Sequence, residues 1–273
     1  MKISILSIAA LLGISNAALF TANDPVKNID SLAFDSAVLN NPYSTSVISF
    51  TAPWCGHCQR LTSQLNNAAK SLDGMVSFYN VDCDNDMNRS LCSKYQVRGF
   101  PTIKSFTRGK KAPPRDYNGE RTSAAISEWA GSQVRNLVSR LSDFDAVEKW
   151  LKNDENSPHI LVYTNKATTS TLLKALAQQF PGAKFGIMKS TSRNKDVKDA
   201  LGLNGELTSP AVYIINDGSL EGAEKYQGKL KFKALKEWLQ DSLPASSKIP
   251  VEDQKDNKNK KDKSSKKKAK SEL

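Results

Sequence analysis

The sequence predicts an α/β protein built from two units in tandem, each a mixed sheet flanked by helices. Three observations carry this. β-branched and aromatic runs alternate with segments whose apolar residues recur at three- and four-residue steps, the signature of strands interleaved with helices. The alternation runs once up to about residue 140 and again after Leu141. An apolar content of 39% over 273 residues supplies core for one large unit or two ordinary ones.

Val47-Ile48-Ser49-Phe50-Thr51 reads as a buried strand that stops at Pro53. A helix follows, with Leu61, Leu65, Ala68, Ala69 and Leu72 on one stripe and Gly74 as its terminator. Val76 to Val81 is the next strand, and Met87 to Tyr95 a short helix. Thr102 to Phe106 and Arg115 to Tyr117 form a hairpin around Arg108-Gly109. A closing helix starts at about Thr122 and carries Ile126, Trp129, Val134 and Leu137.

The second unit opens with a helix over Phe144 to Leu151, then a strand at Ile160 to Tyr163 and a helix over Thr171 to Phe180. Phe185 to Met188 and Ala211 to Ile215 are further strands, Gly218 a turn, and Phe232 to Leu239 a last amphipathic helix. The expected division is a leader over 1–17, a first unit over 18–140, a second over 141–245 and a polar tail over 246–273.

The two ends predict a compartment. Lys2, the apolar stretch Ile3 to Ile14, and Ser15-Asn16-Ala17 are the charged, apolar and small-x-small parts of a secretory signal peptide. A membrane anchor needs about 20 apolar residues, so no membrane span is expected. The terminal Lys270-Ser271-Glu272-Leu273 is similar to the Lys-Asp-Glu-Leu retrieval signals, with Ser271 for Asp. Together they predict the endoplasmic reticulum lumen, with a retrieval receptor reading Lys270 to Leu273.

The net charge of +11 is unevenly spread. Ten Lys against five Asp and Glu fall within residues 246–273, a segment with too little apolar surface to fold. It reads as a solvated tether, and no nucleic-acid partner is expected. Four cysteines exclude a disulfide-dense scaffold. The chain has no Gly-rich phosphate loop and no metal or flavin motif, so no cofactor is expected.

The chemistry is concentrated in Pro53-Trp54-Cys55-Gly56-His57-Cys58, between the first strand and the leucine-striped helix. This places Cys55 at a helix N-terminus, exposed, where unpaired N–H groups and the helix dipole favour a thiolate. His57 can hydrogen-bond or pair with that thiolate. Cys58, one turn along and more buried, lies within bonding reach of Cys55. A nucleophilic thiol and a resolving thiol are the parts of a thiol–disulfide exchange centre. A zinc site would need Cys83 and Cys92 to converge on the first pair, and their eight-residue gap does not suit one.

Ala52-Pro53-Trp54-Cys55-Gly56-His57-Cys58, taken with Val97-Arg98-Gly99-Phe100-Pro101-Thr102-Ile103-Lys104, resembles the protein disulfide isomerases, and in particular their short fungal members. The likeness covers residues 24 to 140 closely and 141 to 245 only as a rhythm. It implies tandem thioredoxin-like domains, the first redox-active and the second redox-inactive. It implies a cis Pro101 facing Cys55 and Cys58, with Trp54 and Gly56 shaping the site and Arg98 swinging toward Cys58 to lower its pKa. The activity implied is formation and rearrangement of disulfides in unfolded or misfolded secretory proteins, with a thiol oxidase or glutathione upstream. A dedicated reductase and a non-catalytic chaperone or adaptor are the alternatives.

Two departures stand out. The family usually carries a buried acid six residues before the first cysteine, where this chain has Ser49, and Gln59 follows the motif where Lys is common. Without that acid, Cys58 is expected to deprotonate slowly. Cys83 and Cys92 are expected to form a structural disulfide, and Asn88-Arg89-Ser90 between them is an N-glycosylation sequon. In the second unit Thr164-Asn165-Lys166-Ala167 occupies the place of the cysteines, Thr208-Ser209-Pro210 resembles a retained cis-proline position, and His159 reads as a packing residue.

Overall fold

The chain starts its first sheet with a two-residue strand, β1 (Lys27–Asn28), and a single helical turn, α1 (Ser31–Phe34), that runs on as a π-helical turn over Asp35–Leu39. The computed structural model describes residues 18–154, 156–191, 194–203 and 210–249. The leader, the tail and Lys270 to Leu273 therefore lie outside the described residues, as do Thr208 and Ser209.

Next come β2 (Ser46–Thr51), α2 (Gly56–Ser71), β3 (Ser77–Asp82), α3 (Arg89–Lys94), β4 (Thr102–Phe106), β5 (Arg115–Asp116) and α4 (Ser123–Gln133). Their sheet has the order β1-β3-β2-β4-β5. β1, β3 and β2 are parallel, while β4 and β5 are antiparallel to their neighbours. Every residue of central β2 is buried. Its Val47 belongs to the core that holds Leu61 and Leu65 of α2, and its Ile48 and Phe50 to the one that holds Phe34 and Phe106. A strand covered on both faces lacks polar alternation, which is why it reads as a continuous apolar run.

The second sheet comprises β6 (Val138–Leu141), β7 (His159–Thr164), β8 (Lys184–Lys189), β9 (Ala211–Ile215) and β10 (Glu224–Lys225). Its helices are α5 (Phe144–Lys152), α6 (Thr171–Gln179), α7 (Lys195–Ala200) and α8 (Phe232–Ser242). The order β6-β8-β7-β9-β10 repeats the first sheet strand for strand, with the same parallel and antiparallel senses.

The expected boundary needs moving. Val134 and Leu137 were to continue the closing helix, but α4 ends at Gln133 and Val134 is extended. Val138 then pairs with Phe185, so the second sheet starts before residue 140. Between β4 and β5, Gly109 has φ 54°, and a Cβ there would collide with the Leu39 carbonyl oxygen. Only glycine fits that approach. Among the described residues no helix is long and apolar enough to cross a membrane.

Candidate active site

α2 begins where β2 ends, and the buried stripe of Leu61, Leu65, Ala68 and Ala69 seats the helix on the sheet. That seating fixes the position of its first turn. Cys55 is the N-cap: its backbone is extended and its sulfur accepts from the Cys58 N–H at 3.3 Å. A helix N-terminus leaves backbone donors without intrahelical partners, and here a sulfur takes the place of the usual oxygen acceptor. Cys55 also approaches the Phe100 carbonyl at 3.7 Å, and the Phe100–Pro101 bond is cis. The expectation of an exposed Cys55 is corrected: only 8% of it is accessible, because it packs with Ala52, Cys58, Leu19 and Phe100.

The two thiols are free and pushed in opposite directions. Burial raises the Cys55 pKa, yet the Cys58 thiol, the N–H groups of Cys58 and His57, and the Arg121 charge outweigh it, and the net shift is downward. Cys58 is pushed up to about 12, first by burial and then by the neighbouring Cys55 sulfur, against the Ala52 N–H and Arg121. Of the two thiols Cys55 is thus the one that ionises more readily, beside a Cys58 that is protonated at neutral pH.

The other expected residues divide. Trp54 is 61% exposed and packs edge-on against Phe100 at 6.0 Å. Gly56 opens α2, where an added Cβ would meet only the tip of Arg60 at 3.7 Å, so sterics do not demand glycine. The exposed His57 ring pairs with Arg60 through Nδ1 at 2.9 Å; it reaches Cys55 through its backbone N–H alone. Arg98 is exposed, and the guanidinium whose charge acts on both thiols is Arg121's, which also donates to the Pro101 carbonyl at 3.4 Å. Sequence reading missed Arg121 because it lies outside both motifs, in the turn before α4. Its place beside the cysteines comes from the packing of α4 across α2.

Between β2 and β3, Ser49, Thr51 and Asn80 form a buried uncharged cluster. Ser49 Oγ and Thr51 Oγ1 donate to Asn80 Oδ1 at 2.9 and 2.8 Å, and Asn80 Nδ2 donates to Asn28 Oδ1 at 3.1 Å. Cys83 and Cys92 are joined by a disulfide with Cα atoms 6.0 Å apart. The sequon reading of Asn88 meets a physical obstacle: the residue is 3% exposed, its Nδ2 donates to the Asp82 carbonyl and its Oδ1 accepts from the Ser31 N–H. A glycan on that nitrogen would take the place of the buried bond. His159 is buried, with Nε2 3.1 Å from the Trp150 carbonyl oxygen and its ring edge-on to Trp150. Among the described residues no cluster of three or more His, Cys, Asp or Glu is placed to hold a metal.

This fold and dithiol define a class. Residues 25–132 match the thioredoxin family and form a thioredoxin domain. The chain is a relative of proteins named protein disulfide-isomerase. It is 32% identical over 201 residues to protein disulfide-isomerase MPD1 of Saccharomyces cerevisiae, covering 68% of this chain and 62% of that protein. It is 28% identical over 201 residues to a mitochondrial thioredoxin domain-containing protein of Schizosaccharomyces pombe, covering 72% of this chain and 55% of that one. The chain thus spans just over half the length of these two relatives. The crystal structure of ERdj5 form I shares the fold with a TM-score of 0.64 at 19% identity, covering 85% of this chain and 31% of that one.

Proposed function

We propose that this chain is a disulfide isomerase and oxidase acting on unfolded or misfolded secretory proteins, through a redox-active first thioredoxin-like domain. The observation that carries the reading is the opposed pair of thiols: a Cys55 pKa lowered at the α2 N-cap and a Cys58 pKa pushed up to about 12. The Cys55 thiolate attacks a client disulfide, forming a mixed disulfide and releasing one client thiolate. Rearrangement proceeds while Cys58 stays protonated. When Cys58 loses its proton it attacks Cys55, the Cys55–Cys58 bond forms, and the client leaves reduced at that sulfur. Run in reverse, the Cys55–Cys58 disulfide oxidises a client dithiol, and a thiol oxidase or oxidised glutathione restores the pair. The Phe100 carbonyl and the Trp54 face offer an extended client a place to pair and to pack.

The second sheet repeats the topology of the first, and the sequence holds no cysteine after Cys92, which supports a redox-inactive companion domain. The leader pattern over 1–17 and the Cys83–Cys92 disulfide support the endoplasmic reticulum lumen. Reactivation of a scrambled-disulfide client in glutathione buffer tests the reading. Wild type restores activity, Cys55→Ser abolishes it and Cys58→Ser keeps partial isomerisation. A wild-type chain no faster than Cys55→Ser overturns it.

A further inference from the structure

Asn88-Arg89-Ser90 is an N-glycosylation sequon whose acceptor residue faces away from solvent. Asp84 to Met87, Arg89 and Ser90 are exposed, whereas only 3% of Asn88 is accessible. Asn88 ends a single helical turn over Asp86–Asn88, and α3 starts at the next residue.

Both polar atoms of the Asn88 side chain are in use. Nδ2 donates to the Asp82 carbonyl at 2.8 Å, and Oδ1 accepts from the Ser31 N–H at 2.8 Å. The first bond ties Asn88 to the end of β3, and the second to the first residue of α1. A glycan on Nδ2 is bulky and hydrated and does not fit a buried site. To carry one, Asn88 has to turn outward, which strands a backbone acceptor at Asp82 and a backbone donor at Ser31. In the folded chain this amide is therefore no acceptor for glycan transfer.

The Cys83–Cys92 bond holds the site shut. Cys83 follows the last residue of β3, Cys92 lies in α3, and their disulfide closes the segment that contains Asn88. Both cysteines are buried in one cluster with Phe34 of α1, so the bridge draws α3 toward the element that supplies the Ser31 N–H. One helical turn and a six-residue helix do not keep their shape in water by themselves. With the two thiols reduced, the loop regains its chain entropy and the sequon can swing out.

We propose that Asn88 is a conditional glycosylation site: it accepts an N-linked glycan only while Cys83 and Cys92 are thiols, and a glycan there keeps their bond from forming. Each reaction balances. In transfer, the bond from Asn88 Nδ2 to the sugar C1 forms and one amide proton is lost. The C1–O bond to a lipid diphosphate donor breaks, and its electron pair leaves with the diphosphate. In closure, Cys83 and Cys92 give two protons and two electrons to a disulfide such as oxidised glutathione, which is released as two thiols. The products exclude each other because closure needs Asn88 turned inward and the glycan needs it turned outward. A glycan on Asn88 thus marks a chain whose first domain missed its bridge.

This rests on the lumenal part of the proposed function, and the test separates the two. The full chain is translated into microsomes with and without dithiothreitol, and its mobility is compared before and after endoglycosidase treatment. Most chains made with dithiothreitol are expected to carry one glycan, lost in Ser90→Ala, and few of those made without it. Cys83→Ser combined with Cys92→Ser is expected to be glycosylated in both conditions. Wild-type chains made with dithiothreitol are then oxidised with glutathione disulfide and their thiols mapped, which needs no cysteine variant to fold. Unglycosylated chains are expected to form the Cys83–Cys92 bond and glycosylated chains to keep both thiols. A bridge in glycosylated chains overturns the proposal, as does equal glycosylation of wild type in the two conditions. Ala167→Thr creates a sequon at the exposed Asn165 and reports contact with the transferase. A glycan there in both conditions, with none at Asn88 in either, overturns the proposal alone; no glycan at either residue overturns the lumenal reading and the proposal together.

Discussion

Cys55 and Cys58 differ by three positions and by the direction of their pKa shifts, and that contrast has a measurable consequence for the reduced protein. The folded Cys58 pKa is raised from 9.0 to about 12, so its contribution to stability is complete below 9.0 and lost as pH rises toward 12. Denaturant unfolding of the reduced chain is expected to show stability falling through that window, with Cys58→Ser making the fall shallower and leaving the part that the raised Tyr79 and Tyr213 contribute. The Arg121 charge lowers both thiols. Arg121→Gln should therefore shift the pH profile of Cys55 alkylation to higher pH and slow labelling several-fold at neutral pH. Arg98→Gln, altering an exposed side chain, should leave the profile in place. Ser49 and Asn80 face each other in the β2–β3 register. Ser49→Glu alone buries a carboxylate against a neutral amide and should cost about 3–5 kcal/mol. Adding Asn80→Lys supplies the missing charge and should recover most of that loss in the same unfolding assay.

At the scale of elements, the segment from β3 to α3 is held by few local interactions. Asn85 caps the turn before α3, Asn88 bridges Asp82 to Ser31, and the Cys83–Cys92 disulfide closes a separation of nine residues. The chain-entropy model assigns a loop of that size about 2.7 kcal/mol. Replacing both cysteines by serine should lower unfolding free energy by that order while leaving the Cys55 alkylation profile unchanged, since the bridge lies apart from the thiols. The helices were legible from the same local physics. The α2 stripe and the Thr122 cap of α4 are signals carried within one turn of sequence. β1 and β10, with two residues each, carry no periodicity, and they exist because a neighbouring strand offers hydrogen-bond partners.

Across the whole molecule the two sheets meet through side chains far apart in sequence. Gly74, with φ 74°, lies where a Cβ would come 2.8 Å from the ring of Phe232 in α8. The Gly74 carbonyl accepts from Gln179 Nε2 of α6 at 3.0 Å. Gly74→Ala thus combines backbone strain with a clash and should destabilise the chain by about 1–3 kcal/mol. Gly74→Ala with Phe232→Ala relieves the clash but not the strain, and its loss should be smaller than the two single losses added; additive losses in thermal unfolding would show that the ring does not press on this turn. The alternation of strands and helices and the strand–helix placement of Cys55 and Cys58 were readable from a periodic pattern, because they depend on neighbours in sequence: a β-branched run, a leucine stripe, a cysteine before a helix. The thioredoxin fold and the cis bond before Pro101 were expected only from the family resemblance of the two motifs. The burial of Cys55 under Leu19, the charge of Arg121 and the engagement of Asn88 were decided only by tertiary packing. Each depends on which distant segment comes to rest against another, and local propensity carries no record of that.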